Sequence, residues 1–139
     1  MANSSFKRTV LFVSAIASLL GPLMISTVNV ALPVIGRYFD ADAATLGWVA
    51  TSYMLATAAA LVPVGRAADI VGRRKIFLLG AALLAFFNFL ALFSANLTFL
   101  ILCRVLQGIG GAMIVTTSIA ILASDFPPGE RGRAMGITT

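Results

Sequence analysis

Residues 99–123, FLILCRVLQGIGGAMIVTTSIAILA, decide the fold of this chain. Their only charged side chain is that of Arg104. As a helix, a stretch of this length extends about 38 Å, whereas the hydrocarbon core of a bilayer is about 30 Å thick. The stretch is therefore predicted to cross a membrane as an α-helix.

Three other segments have the same character and are also predicted to span the membrane: 9–35, 46–64 and 76–95. Across all 139 residues, 60% are hydrophobic and 11% are charged, against about 25% charged in a soluble domain. This composition excludes a soluble globular protein and a disordered chain. We predict an all-α, polytopic transmembrane helix bundle that occupies residues 1–139 as one domain.

The last residues of the sequence resemble the start of a fifth span. Residues 134–139 begin a new apolar pattern after a segment that contains Pro127 and Pro128, and this pattern is much shorter than a bilayer crossing. We therefore expect the chain to be the N-terminal part of a longer polytopic protein. The remaining helices of that protein, together with the lipid bilayer, would be its packing partners.

The basic residues predict the orientation of the bundle. Eight of the ten Lys and Arg residues lie before the first span, between the second and third, or after the fourth, while Arg37 lies on the opposite side. Because basic residues are concentrated in cytoplasmic connections, the N-terminus is predicted to be cytoplasmic, in a multi-pass protein of the cell membrane. The net charge of +5 is thus explained without nucleic acid as a partner.

The chemistry of soluble enzymes is missing from the sequence. There is no His, and Cys103 is the single Cys, so neither a metal site nor a disulfide framework is expected. The four predicted spans also contain no Asp or Glu. We expect no cofactor, no metal and no enzymatic activity.

Arg104 is the unusual residue of the fourth span. A cation at full membrane depth costs about 2.5 to 3.5 kcal/mol, and Gln107, Gly108 and Gly111 follow on the same helix face. A polar pair beside close-approach positions indicates a side chain that points into the bundle, with Gly108, Gly111 and Ala112 as helix-packing residues. The alternative is an interfacial arginine whose head lies among lipid phosphates.

Three segments resemble motifs of the major facilitator superfamily of transporters. The segment 65–75, GRAADIVGRRK, resembles the signature between the second and third helices of that family, and we call it the latch segment. The segment 104–112, RVLQGIGGA, is similar to the fourth-helix motif of the family's drug:proton antiporters, and 28–33, VNVALP, is similar to the first-helix motif of its fourteen-helix branch. Met24 occupies a position that is usually acidic in that branch.

The resemblance implies a mechanism and a set of functional residues. Family members are two six-helix bundles that rock about a midplane site, and the segment between helices two and three holds one of the two states. By this resemblance Arg104 would bind or couple in the cavity, with Gln107 and Asn29 as further candidates. The residues that match the family in the latch segment are Gly65, Asp69, Gly72, Arg73 and Arg74.

Asp69 is the expected centre of the latch segment. Arg73 follows it at i+4, and a carboxylate near a helix N-terminus is favoured by the helix dipole. The alternative is that the basic residues of the segment only set the topology. Topology alone does not require the spacing of Gly65, Asp69 and Gly72.

The expected function is transport of small molecules by alternating access, as a drug or metabolite exporter coupled to protons. Two alternatives remain open at this point. The spans without carboxylates are also compatible with uptake or uniport of a neutral solute. Four spans cannot form both halves of an alternating-access transporter, so a truncated membrane protein without transport activity is the other alternative.

Overall fold

The computed structural model describes the backbone of residues 4–125, and the side chains of Ile16, Leu19 and residues 21–121. This part of the chain consists of four helices without a β-strand: α1 (Ser4–Phe39), α2 (Ala43–Val71), α3 (Arg73–Ala91) and α4 (Leu97–Asp125). The predicted all-α transmembrane class is confirmed. The predicted start of a fifth span at 134–139 and the motif around Pro127 lie outside the described residues.

Three stretches within the described residues are long and apolar enough to cross a membrane: Ala43–Val71, Arg73–Ala91 and Leu97–Ile121. Their surfaces carry large apolar side chains, such as Leu78, which is 68% exposed. The aromatic side chains of α3 follow the same pattern, with Phe86 and Phe89 exposed. Such a surface is stable in lipid, where exposure of apolar side chains carries no cost.

The helices do not end where the hydropathy changes. α2 continues to Val71, through most of the segment predicted as a polar connection, whereas α3 ends at Ala91, before the predicted end of its span. α4 begins at Leu97, inside the predicted turn. The reason is physical: hydropathy marks which residues favour lipid, while backbone hydrogen bonds and caps determine where a helix ends.

Gly72 alone connects α2 to α3. Its φ of 109° lies in the left-handed region, which glycine adopts without the steric cost that a Cβ would add. Its N–H donates to the carbonyl of Ala68 at 3.0 Å and ends α2, and its own carbonyl accepts from the N–H of Ile76 at 3.2 Å and begins α3. We call this side of the bundle the Gly72 end.

A side-chain cap begins α4 at the opposite side, which we call the Asn96 end. Asn96 Oδ1 accepts a hydrogen bond from the N–H of Phe99 at 2.8 Å, which satisfies an otherwise unpaired donor of the first turn of α4. At the start of α2, the Thr45 hydroxyl donates to the carboxylate of Asp42. This hydrogen bond holds the pKa of Asp42 below its usual value.

α4 is the central helix, and it packs along both α2 and α3, while α1 makes fewer contacts. Small residues allow the close approach. A Cβ on Gly80 of α3 would lie 3.0 Å from the carbonyl oxygen of Gly110 of α4, and a Cβ on Gly110 would lie 3.0 Å from that of Gly80. Residues near the Gly72 end form a small apolar core: Ala68, Ile76 and Met113, with Val64, Ala67 and Ile109 packed against it.

Candidate functional site

Arg104 is buried between the helices of the bundle. It lies seven residues after the first residue of α4, which corresponds to about 10 Å along the axis from the Asn96 end. The residue is 3% exposed, and Gln107, one turn later on the same face, is 2% exposed. The structure therefore places both polar residues in the interior and not at the lipid-facing surface.

α2 supplies two contacts to the guanidinium group of Arg104. Nε donates to the carbonyl oxygen of Val49 at 3.3 Å. The guanidinium carbon lies 4.7 Å from the centroid of the Tyr53 ring, one helical turn after Val49. A cation at this distance from an aromatic face is attracted by the quadrupole of the ring.

Gln107 extends this network to α3. Arg104 Nη1 donates to Gln107 Oε1 at 2.8 Å, and Gln107 Nε2 donates to the carbonyl oxygen of Phe87 at 3.1 Å. These contacts connect α2, α4 and α3 at one level of the bundle. We call the set formed by Val49, Tyr53, Arg104, Gln107 and Phe87 the arginine bridge.

The arginine bridge stabilises a buried charge without a carboxylate. Among the described residues the one ion pair is between Asp69 and Arg73, at the other end of the bundle. Arg104 is satisfied by two neutral oxygen acceptors and a ring face instead. Because a buried cation is costly unless its donors are paired, these contacts are what keep the guanidinium inside the bundle.

Gly108 and Gly111 bring α4 close enough to α2 for these contacts to form. A Cβ on Gly108 would lie 2.5 Å from the carbonyl oxygen of Tyr53, and one on Gly111 would lie 2.7 Å from the Tyr53 hydroxyl oxygen. The Thr57 hydroxyl lies 3.0 Å from the carbonyl oxygen of Gly108 and 2.8 Å from that of Tyr53. Ala112 is fully buried in α4.

Three hydroxyl oxygens inside the described bundle have no hydrogen-bond partner: those of Ser52, Thr116 and Ser118. Ser52 and Ser118 are each 4% exposed. Unpaired buried hydroxyls are uncommon because each loses its hydrogen bonds to water. These hydroxyls can therefore donate a hydrogen bond to, or accept one from, another polar group within the bundle.

The second polar cluster lies at the Gly72 end. Arg73 Nε and Nη2 lie 3.2 Å and 3.1 Å from Asp69 Oδ1, and Arg73 Nη1 donates to the carbonyl oxygen of Ala120 at 2.8 Å. Arg73 thus connects the end of α2 to the last turns of α4. The Arg73 side chain is 39% exposed, and the Asp69 side chain is 64% exposed.

The expected dipole argument for Asp69 is wrong for the helix that contains it. Asp69 lies in the last turn of α2, where the helix dipole disfavours an anion, and Arg73 is the first residue of α3, where the dipole disfavours a cation. The ion pair offsets both unfavourable positions. The carboxylate is therefore stabilised by Arg73 and not by the dipole of its own helix.

The other sequence-predicted residues lie at different places. A Cβ on Gly65 would lie 3.4 Å from a methyl carbon of Thr116, so Gly65 lies at the α2–α4 contact. Arg74 is exposed, beside Arg73. Asn29 is exposed on α1, and the structure does not bring it to the arginine bridge, since the described partners of Arg104 and Gln107 belong to α2, α3 and α4.

Several members of the site were not identified from the sequence. Tyr53 was missed, although an aromatic residue within an Ala-rich helix was a usable signal. The carbonyls of Val49 and Phe87 carry no sequence signal, because every residue has one. Gly80 and Gly110, which allow the close approach of α3 to α4, had only the weak signal of two glycines on consecutive helices.

Comparison with known proteins places this arrangement in a family. The family model of the Major Facilitator Superfamily matches residues 14–139. The riboflavin transporter RibZ of Clostridioides difficile is 33% identical over 132 residues, which cover 95% of this chain and 29% of that protein. The tetracenomycin C resistance and export protein of Streptomyces glaucescens is 34% identical over 110 residues, 79% of this chain and 20% of that protein.

A multidrug resistance protein B homolog of Mycobacterium tuberculosis is 34% identical over 125 residues, which cover 90% of this chain and 23% of that protein. The chain thus spans less than a third of the length of these relatives. The family match covers most of the chain and includes the latch segment, Arg104 and the glycines of α4. The chain belongs to the Major Facilitator Superfamily.

Proposed function

We propose that this chain forms part of a secondary transporter that exports small amphipathic molecules across the cell membrane by alternating access. The observation that carries the proposal is the arginine bridge, a buried cation at the junction of three helices, held by neutral groups. A charge in such a position is costly to maintain and is typical of a substrate or ion pathway. The export direction is supported by two relatives, a resistance and export protein and a multidrug resistance protein.

Arg104 is the residue that we assign to substrate binding or ion coupling. Its neutral partners leave the positive charge of the guanidinium uncancelled within the described bundle. An anionic or strongly polar group that enters the cavity, from the substrate or from a carboxylate, would gain from this charge in a medium of low dielectric constant. Asn29 and Gln107 are the other candidates for cavity contacts.

The latch segment would control the change between the two states. The Arg73 contacts with Asp69 and with the Ala120 carbonyl connect the ends of α2, α3 and α4. Both side chains remain partly exposed, so water can replace the contacts at little cost when the helices separate. This combination suits a contact that forms in one state and breaks in the other. We place the Gly72 end on the cytoplasmic side, following the basic residues.

The alternative function does not involve proton coupling. The predicted spans contain no Asp or Glu, and one relative is named as a riboflavin transporter, which favours uptake or uniport of a neutral solute as the second candidate. The two functions differ in whether substrate flux moves protons.

The test is a transport assay on the full-length protein in everted membrane vesicles. Three probes are compared: ethidium, riboflavin and tetracenomycin C. We expect a pH gradient to drive accumulation of at least one probe above that of vesicles without the transporter, and addition of that probe to dissipate the gradient. Equilibration without accumulation would support uniport. Correct insertion without flux of any probe would contradict transport and support the truncated, non-transporting alternative.

A further inference from the structure

Two features of α2 act on the same guanidinium group. The Val49 carbonyl accepts from Arg104 Nε at 3.3 Å, and the Tyr53 ring covers the guanidinium carbon at 4.7 Å. Tyr53 is 6% exposed, so its ring is fixed by packing rather than free to turn. The carbonyl sets the direction of one donor, and the ring face sets the plane in which the guanidinium can lie.

Gly111 provides the space that this ring needs. A Cβ at position 111 would lie 2.7 Å from the Tyr53 hydroxyl oxygen, 3.4 Å from the carbon that bears it and 3.7 Å from a neighbouring ring carbon. The nearest atom is thus the hydroxyl oxygen, whereas the ring carbons lie at normal contact distances. The glycine therefore accommodates the phenolic oxygen and not the ring as such.

We infer that Tyr53 is a positioning residue for Arg104: its ring holds the guanidinium toward Gln107, and Gly111 is the notch that admits its hydroxyl. This inference rests on the proposed transport function only for its effect on flux. The position of the guanidinium is a separate property of the molecule. If Tyr53 positions Arg104, the ring face is required and the hydroxyl is not. Tyr53→Phe keeps the ring and should preserve the position of Arg104, whereas Tyr53→Leu removes the ring and should not.

The first experiment measures the position of Arg104 independently of transport. Full-length purified protein is treated with phenylglyoxal, which modifies arginine side chains, and modification of Arg104 is followed by mass spectrometry. We expect Tyr53→Phe to protect Arg104 as well as the wild type does, and Tyr53→Leu to raise its modification rate roughly tenfold, the size of effect that a desolvated cation–π contact supports. Exposed Arg66 is the internal control, and its rate should be the same in all three proteins.

The second experiment tests the notch and does not depend on the stability of Tyr53→Leu. Gly111→Ala should increase Arg104 modification and lower the melting temperature, because the Tyr53 hydroxyl must move away from the new methyl group. Adding Tyr53→Phe removes the nearest atom and should restore both values. Gly47→Ala is the matched control, because a Cβ at position 47 of α2 meets nothing within 4 Å.

Transport of the best probe is then measured in the same variants. Tyr53→Leu should lower the maximal rate and shift its pH profile, Tyr53→Phe should lower the rate less because it keeps the ring face, and Gly47→Ala should leave the rate unchanged. The inference is overturned if Phe and Leu at position 53 give the same Arg104 modification rate, or if Tyr53→Phe fails to rescue Gly111→Ala. If the variants show the expected modification pattern but the wild type shows no flux of any probe, the proposed function is refuted and the inference stands.

Discussion

Arg104 and Arg73 are two arginines of one bundle in opposite surroundings. Arg104 is 3% exposed and pairs with carbonyl and amide oxygens and with a ring, whereas the Arg73 side chain is 39% exposed and pairs with the carboxylate of Asp69. The buried arginine has no described acidic partner, and the exposed one has one. The difference teaches that the buried charge is held by several neutral groups, whereas the exposed one is held by a contact that water can replace.

The energies of the two sites lead to the same conclusion. An exposed ion pair contributes about 0 to 1 kcal/mol, so under the proposed function the contact between Asp69 and Arg73 would break without a large barrier. A hydrogen bond to a buried charged group contributes about 1.5 to 3 kcal/mol, and losing it leaves an unpaired donor. Under the same proposal, Arg104 is expected to keep its partners on α2 and α4, and Gln107 its partner on α3.

The largest effect is expected for Arg104→Gln, which removes the buried charge and the contact with the Val49 carbonyl. Initial rates of probe transport in vesicles should fall at least about tenfold, as expected when a charged hydrogen bond of 1.5 to 3 kcal/mol is lost. Arg104→Lys keeps the charge but not the planar group, and should retain an intermediate rate. Arg37→Gln is the matched control at an exposed arginine of α1, outside the latch segment. Unchanged transport by Arg104→Gln would place the charge outside the transport pathway.

A smaller effect, on stability, is expected for Gly108→Ala. The new methyl group would lie 2.5 Å from the backbone oxygen of Tyr53, which cannot move without shifting α2. Overpacking of this kind costs about 1 to 3 kcal/mol and should lower the melting temperature in detergent. Gly47→Ala in α2 has space for its methyl group and should be neutral or stabilising. Equal melting temperatures for the two variants would contradict the close contact of α2 with α4.

Asp69→Asn should change the rate of transport and leave stability nearly unchanged. The pair with Arg73 is exposed, so the free energy of unfolding should change by no more than about 1 kcal/mol. The substitution weakens the contact of Arg73 with the end of α2, so the transport rate should fall several-fold while the expression level stays unchanged. Asp40→Asn is the control at an acidic residue of the Asn96 end. A wild-type rate for Asp69→Asn would refute the latch role and would reduce the comparison of the two arginines to a difference in burial.

The two arginines also differ in how far the sequence predicts their surroundings. Partners three or four residues apart can be read from the sequence spacing, and this is how Gln107 was paired with Arg104 within α4, and Asp69 with Arg73 across the α2–α3 connection. Partners on other helices cannot be read in this way, because they depend on which faces meet. The ring of Tyr53, the Val49 carbonyl and the Ala120 carbonyl are all of this kind.

Helix ends illustrate a further limit of sequence analysis. Hydropathy identified the number of helices in the described part of the chain but not their bounds, because α2 continues as a helix through polar residues to Val71. Gly72 was predicted as a functional residue by its motif, and the structure shows a conformational reason for glycine there, a φ of 109° in a one-residue connection. A sequence pattern names the position, whereas the backbone geometry explains the residue type.

The smallest effect concerns Asp42, an acidic residue whose described partner is a threonine. The Thr45 hydroxyl donates to Asp42 at the start of α2 and lowers the pKa of that carboxyl group. Because the folded-state pKa lies below that of the unfolded chain, the hydrogen bond stabilises the fold above about pH 4, and this contribution is lost as the pH falls through the folded-state value. Thr45→Val should therefore lower the melting temperature slightly at pH 7 and by less at pH 3.

The matched control for Thr45→Val is Thr51→Val. The Thr51 hydroxyl donates to the Gly47 carbonyl at 2.8 Å, and this acceptor does not titrate. Its effect on the melting temperature should be the same at both pH values. An undiminished difference between wild type and Thr45→Val at pH 3 would show that the hydroxyl acts through the helix backbone and not through the ionised carboxylate. The start of α2 would then be stabilised without an ionised carboxylate, as the arginine bridge is, and unlike the Gly72 end.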